Sequence, residues 1–463
     1  MARQTLLNRI LGRAAAPATA VRRFDAAGGG RRASTFGNFG RIGPETLAAA
    51  APLRSRARHA YTNNGFLKNA VDAVVAETVG AGIEATSAHP DTALRPLIDA
   101  AFEDACDVID AEGRTDLHGL TASMVRAEIV DGESFAVIEE SPEGVRVRQI
   151  PCEFVDESMT RELPNGGYIA AGIEFDAVGR RVAYHVRPGR PTDQFSGQYF
   201  AIRVPAENVL HLFRPIGPGQ VRGISQLASI LLPASDLDAL LDALLVGTKT
   251  AAMLAGFVTD NTQVGTVPFP DSQGPIGDIS LEPGVVRVLP PGTDIKFTAP
   301  AQAAEGVAFA RLILGQLSAG LGVPQHLMDG DLTGANYSSL RAGLLPFRAK
   351  VEQFQFHALI PQVLAPIFRR VITHAYLSGR LDLPDLAPAL KADWLPPRPM
   401  QVDPAKDVEA LKGQLELGLT SRRQAVASLG WNIDRLDSEI AADKARESAL
   451  GLDFAQKGPA NAA

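Results

Sequence analysis

Cysteine is almost absent from this 463-residue chain. Only Cys106 and Cys152 occur, far apart and without metal-ligand spacing, so no disulfide framework is expected and a reducing compartment is the simple reading. Aromatic residues are scarce, at 6%. No run of 18 uncharged apolar residues exists, which predicts that the chain has no membrane-spanning helix. Met1 to Ile10 lacks an apolar h-region, so no secretory signal is expected, although the acid-free, Arg-rich first 24 residues also fit an organellar transit peptide. The common catalytic signatures are missing too. There is no G-x-x-x-x-G-K-[ST], no H-E-x-x-H and no G-x-S-x-G. Gly247-Thr248-Lys249-Thr250 lacks the Gly-Lys pair and the upstream glycine that a phosphate cradle needs. These absences predict a non-enzyme that carries no cofactor.

Acidic residues are scarce only at the start. Residues 1–60 hold eleven Arg and no Lys, against Asp25 and Glu45, a local balance of +9. The whole chain carries -7, so the remainder carries -16. This asymmetry suggests a basic arm near an anionic polymer on an acidic body; a solvated terminus with no specific partner explains it equally well. The length implies several structural units, and 43 Gly with 32 Pro imply many breaks between them.

The most informative stretch runs from Leu321 to Leu340. Before it, Phe309, Leu312, Ile313, Leu317 and Leu321 fall on one helical face. After it, Tyr337, Leu340, Leu344, Phe347, Val351, Phe354 and Ala358 recur at steps of three and four, an apolar seam. Between the two, Gly322, Pro324, Gly330 and Gly334 predict a loop without regular structure, and Asn336 stands where an N-cap belongs.

The rest reads as mixed, mainly helical structure with β-rich parts. Helices are expected from Pro44, from about Phe66 to Val79, and over roughly 94–110 and 117–130. Strands are expected over 134–139, 145–150, Ile169–Phe175 and Val182–Val186, with a turn at Asn165-Gly166. A helix-rich segment opens at Gly223 and reaches about Gly256, with Pro233 kinking or restarting it. Val285–Leu289 and Ile295–Phe297, split by Pro290-Pro291-Gly292, read as a small hairpin, and Pro300 suits the first turn of the next helix. Pro346, Pro361 and Pro366 predict bends in the long helix. Asp403-Pro404 and the Ser421…Gln424 capping box start helices near the end, with a last helix over about 434–450.

Several of these motifs together resemble the portal proteins of tailed phages, lambda-type family. They are Gly322-Val323-Pro324 with Asn336-Tyr337-Ser338-Ser339-x-Arg341; Asn63-Asn64 with Val79-Gly80-x-Gly82-Ile83; Gly172-Ile173-Glu174-Phe175 with Gly179-Arg180; Val204 to Phe213; and Trp394-Leu395-Pro396-Pro397. The resemblance covers about 44–450. It implies a portal fold: 1–43 a basic flexible arm, 44–222 a wing, 223–256 a first stem helix region, 257–299 a β clip, 300–322 a second stem helix, 323–336 a channel loop, 337–402 a kinked channel helix and wing return, and 403–463 a helical crown and tail. It further implies a closed homo-oligomeric ring, commonly of twelve copies, at one capsid vertex of the virion after assembly in the host cytoplasm. Its implied partners are double-stranded DNA, the terminase large subunit, the major capsid protein or scaffold, and a head-tail connector, with no membrane.

On that resemblance the channel loop is Gln325, His326, Leu327, Met328, Asp329, Asp331 and Leu332. Arg341, Arg348 and Gln355 form a seven-spaced polar stripe that touches phosphate, bridges neighbouring copies, or is simply a salt-bridged solvent face. Val285, Arg287, Ile295, Lys296 and Phe297 mark the clip that docks the motor. An acidic or neutral loop suits passage, because a cationic lumen would hold the duplex by counterion release. A twelve-fold ring is also out of phase with a DNA turn of roughly 10.5 base pairs. The alternatives are another ring-forming connector or tail protein and, remotely, a metal-dependent nucleic-acid hydrolase using Asp329 and Asp331. Against the latter, one His and two Asp in a Gly-rich loop are usually just solvated, and Ser338 and Ser339 read as helix-start residues. His118, His185 and His211 sit in apolar contexts and read as structural.

Overall fold

A computed structural model describes residues 39–189, 200–253, 257–260, 293–296, 303–333, 336–397 and 404–452. The described chain opens with α1 (Ile42–Asn63) and α2 (Gly65–Val79), joined at Asn64. Asn64 makes the sharp break possible. Its side chain caps α2 by accepting from Leu67 N–H at 2.9 Å, and its amide donates to Asp238 at 2.9 Å. Gly80, at φ +51, ends α2. Strand β1 (Glu84–Ser87), α3 (Arg95–Cys106) and α4 (Leu117–Asp131) follow.

Two antiparallel sheets come next. β2 (Glu133–Ser141) lies between β3 (Gly144–Ile150) and the later β9 (Val209–Phe213), with Phe135 opposite both Ile150 and His211. The second sheet is a meander of β4 (Arg161–Glu162), β5 (Tyr168–Ala170), β6 (Ile173–Phe175), β7 (Arg181–Val186) and β8 (Ile202–Pro205). The single strand expected over Ile169–Phe175 is in fact a hairpin. Ala170 pairs with Ile173, and the two residues between them, Ala171 at φ +48 and Gly172 at φ +81, form the tight primed turn that matches strand twist. Phe135, Cys152, Ile173, Tyr184 and Val209 pack where the two sheets meet.

Then α5 (Leu231–Met253) begins, with Pro233 in its first turn, where a missing N–H costs nothing. β10 (Phe257–Asp260) pairs with β11 (Thr293–Lys296), Val258 opposite Ile295. The hairpin expected between Val285–Leu289 and Ile295–Phe297 falls largely outside the described residues, as do Val285, Arg287, Phe297 and Pro300. Within them, the strand holding Ile295 and Lys296 pairs with 257–260.

α6 (Ala303–Leu321) packs against α5, α7 (His326–Asp329) is a single turn, and α8 (Tyr337–Phe354) passes into wider π-helical turns over Gln355–Leu364 before α9 (Ala365–Leu377). The π turns are where Pro361 sits. There the ladder reaches back five residues, as in Ala365 N–H to Ile360 O, so the missing donor is absorbed without a break. Phe347, Val351, Phe354, Ala358, Leu359, Val363, Ile367 and Phe368 bury the seam in the main core, against α2 and α3. β12 (Ala392–Leu395) pairs with β1, and α10 (Pro404–Glu416), α11 (Arg422–Ser428) and α12 (Ile433–Leu450) close the chain. α10 and α12 contain no buried residue. No helix among the described residues is long and apolar enough to cross a membrane.

Candidate functional site

The segment between α6 and α8 divides into an anchored half and an exposed tip. Gly322, at φ +79, turns the chain out of α6, and Ser318 Oγ donates to Val323 O at 2.8 Å. Gln325 then starts the one-turn helix α7, which the Gly-Pro content had not suggested. Met328 is fully buried, and Asn69 of α2 donates to Leu327 O at 2.9 Å and Met328 O at 3.2 Å. Met328 is therefore a core residue and presents nothing to a lumen; burying it contributes about 1.5–3 kcal/mol. Leu327 packs partly against the same core. His326 and Gln325 are half-buried.

The tip is Gly330 to Thr333. Gly330, at φ +70, lets the chain leave α7. Asp329 accepts from Gln325 Nε2 and from Asp331 N–H, both at 2.9 Å, so it shapes the turn. Asp331 accepts from Thr333 N–H at 2.8 Å and from the Thr333 hydroxyl, and meets Arg311 of α6 at 3.4 Å. The Thr333 bonds, with Arg311, hold the Asp331 carboxyl below its ordinary value, so it is charged at neutral pH. Asp331, Leu332 and Thr333 are all exposed.

Behind the tip, Asn336 and Ser339 form a reciprocal capping box that fixes the start of α8. Along this helix two of the three stripe residues lie in ion pairs, the salt-bridged arrangement among the alternatives, and the third turns inward. Arg341 pairs with Asp407 at 3.2 Å and Arg348 with Glu77 at 2.9 Å. Gln355 is buried and donates to Thr78 O at 2.7 Å. Seven residues fall about 20° short of two helical turns, so over two such steps the third position drifts inward by about 40°.

A second constellation was not anticipated from sequence. Glu133 is completely buried and holds Arg222 at 2.6 Å, His211 at 3.1 Å and Arg54 at 3.6 Å, while accepting from Gly223 N–H at 2.9 Å. Arg222 also donates to Cys152 O, Ala171 O and Val155 O, from both sheets' connecting segments. Gly132 and Gly223 touch backbone to backbone here. A Cβ on Gly223 would stand 2.0 Å from Gly132 O. The cluster thus joins α1, both sheets and the segment that leads into α5. Burial pushes the Glu133 carboxyl up, but Arg222 and His211 outweigh it and keep the carboxylate ionised far below its usual range. Burial also lowers His211 to about 4, against the pull of Glu133, so its imidazole is neutral at pH 7. The signal in the sequence is the pair Gly132-Glu133 and Arg222-Gly223, but nothing in it brings together residues 89 positions apart.

This yields a pH dependence. The unfolded chain takes up a proton on His211 near pH 6.5, whereas the folded one waits until about 4. Stability is therefore complete above pH 6.5 and falls as pH drops from 6.5 to 4. The groups facing His211 are Glu133, Tyr184, Arg181, Phe135 and Phe213. Urea midpoints measured across this range for the wild type and His211→Gln should diverge, with the variant flatter; parallel curves would refute the assignment.

The described residues contain no group of three or more His, Cys, Asp or Glu placed to hold a metal ion. What the geometry offers is an exposed acidic tip on a rigid helical base and an ionic joint, which suits a structural component. The comparisons agree. The family model described as phage portal protein, lambda family, matches residues 29–355. The chain belongs to that family. Curated relatives include the probable portal protein of Halomonas phage phiHAP-1, 24% identical over 425 residues (86% of this chain, 81% of the relative). Portal protein B of Escherichia phage lambda is 22% identical over 454 residues, covering 86% and 84%. Among solved structures, the neck of a native gene transfer agent particle with C12 symmetry aligns at TM-score 0.41 and 15% identity, over 86% of this chain and 97% of that one. The neck of the empty particle aligns at 0.44 and 16%, with the same coverage.

Proposed function

We propose that copies of this chain close into a ring at one capsid vertex, through which duplex DNA enters during packaging and leaves at ejection. In this reading α5 and α6 are the stem, residues around β10 and β11 form the clip that docks the terminase large subunit, and 44–222 is the wing facing the capsid or scaffold. The head-tail connector joins later, and α10–α12 form the crown. Family membership supports the overall role. The observation that carries the ring is the apolar surface left open on the stem. Phe309 is 55% exposed and Leu312 68%, while Ala310, Ile313, Leu314 and Leu317 of the same helix are buried. Leu241, Leu245 and Val246 on α5 and Val307 on α6 are open as well. Several large apolar side chains left open on two packed helices suit a protein-contact surface, and a second copy is the partner a closed ring supplies.

Within the ring, the tip Gly330–Thr333 faces the lumen. Repetition by the ring turns each Asp331 into a belt in which it offsets Arg311, so the lumen offers phosphate little cationic surface to hold and the duplex slides. Asp331→Lys is expected to slow translocation at low salt, with the slowing fading as salt rises. Single-particle packaging rates measured at two salt concentrations test this; an unchanged rate at low salt overturns the lumen placement of the tip. Asp331 is the better position than Asp329, whose carboxylate shapes the turn itself.

A further inference from the structure

A groove of about 1000 Å³ opens between α3, the β1–β12 pair and the helices α11 and α12. No part of the proposed channel uses it. Both tryptophans of the chain, Trp394 and Trp431, line it, together with Phe102. Tryptophan is the residue most enriched where a partner docks. Seven carboxylates face into the groove against three arginines. The arginines are already engaged: Arg435 with Glu103 at 3.2 Å, Arg423 with Asp393 at 3.8 Å, and Arg95 with His89 O at 2.6 Å. The Asp99 carboxyl is raised chiefly by burial, with Glu103 and Asp434 adding to the shift against the Ser87 N–H and Arg95.

We propose that the groove is the docking site of the chain's own N-terminal segment, residues 1–38. That segment carries seven Arg, no Lys and a single acid, Asp25, so its charge complements the groove's. Arginine also stacks on indole faces, which lysine does less well. Fully extended, thirty-eight residues span about 125 Å. The basic arm is then held on the acidic body of the particle and is not a DNA-binding tail.

The chain has two tryptophans, both in this groove, so its fluorescence reports occupancy directly. In the full chain, acrylamide quenching of tryptophan is expected to steepen roughly twofold when Arg22, Arg23, Arg31 and Arg32 are all changed to Glu, as the covering layer over the indoles is lost. Wild-type protein in high salt should behave the same way. A groove variant, Glu84→Lys with Asp107→Lys, should leave circular dichroism unchanged and expose the Arg31-Arg32 bond to trypsin. Equal quenching in wild type and the arm variant at low salt overturns the proposal. So does trypsin protection that appears only when duplex DNA is added, which would assign the arm to nucleic acid.

Discussion

Arg222→Met is expected to cost about 3–5 kcal/mol of unfolding free energy, because it strands a fully buried carboxylate. Glu133 would keep only His211, which is neutral at pH 7, the more distant Arg54 and the Gly223 N–H. Three carbonyl oxygens, of Cys152, Val155 and Ala171, would lose their donor as well. Adding Glu133→Gln should restore part of the loss but not all, since those carbonyls stay unpaired. Urea denaturation of the two single variants and the double variant measures the coupling. Single variants that each cost less than about 1 kcal/mol would show that the cluster is not the joint described.

Phe309→Asp combined with Leu312→Asp should abolish ring assembly while leaving the fold of each copy intact. Both side chains are exposed on α6, so the substitutions remove no core contact. In an assembled ring, however, each would place a charge in an apolar contact, repeated at every interface. Sedimentation velocity should show a monomer whose circular dichroism and thermal transition match those of the parent. Persistent rings would place the contact between copies elsewhere on the surface. The same pair changed to Leu and Met should assemble normally, which separates loss of apolar character from loss of shape.

Local chemistry was the legible part of this structure. Asn336 with Ser339 and Ser421 with Gln424 cap helices where the sequence placed them, because a capping box lies within four residues. Gly80 and Gly418 end theirs for the same reason. The seam from Leu344 to Ala358 packs as its spacing predicted. Three features escaped. Periodicity identifies an apolar face but not what covers it: Phe309 and Leu312 share a face with Ile313 and Leu317 in the sequence, yet the first two are open in a single copy and the last two are buried. Met328 sits among polar and Gly-rich neighbours, and only the distant Asn69 reveals that its turn is clamped. Gln355 shares a seven-residue spacing with Arg341 and Arg348, but that spacing drifts about 20° per step on a straight helix and takes the third position into the interior. Of the candidate channel residues, Asp331 and Leu332 stay exposed, while Met328 and Gln355 are interior.

The π-helical stretch from Gln355 to Leu364 has a mechanical meaning. It accommodates one residue more than ordinary α turns would over the same rise. Tightening it to α geometry would rotate everything on its N-terminal side by about 100° and move it about 1.5 Å along the axis. Phe347, Val351 and Phe354 on that side are already packed in the core, and such a rotation would swing them out. The packing thus locks the wide turns, and the helix behind the acidic tip is held at one angle to the sheets.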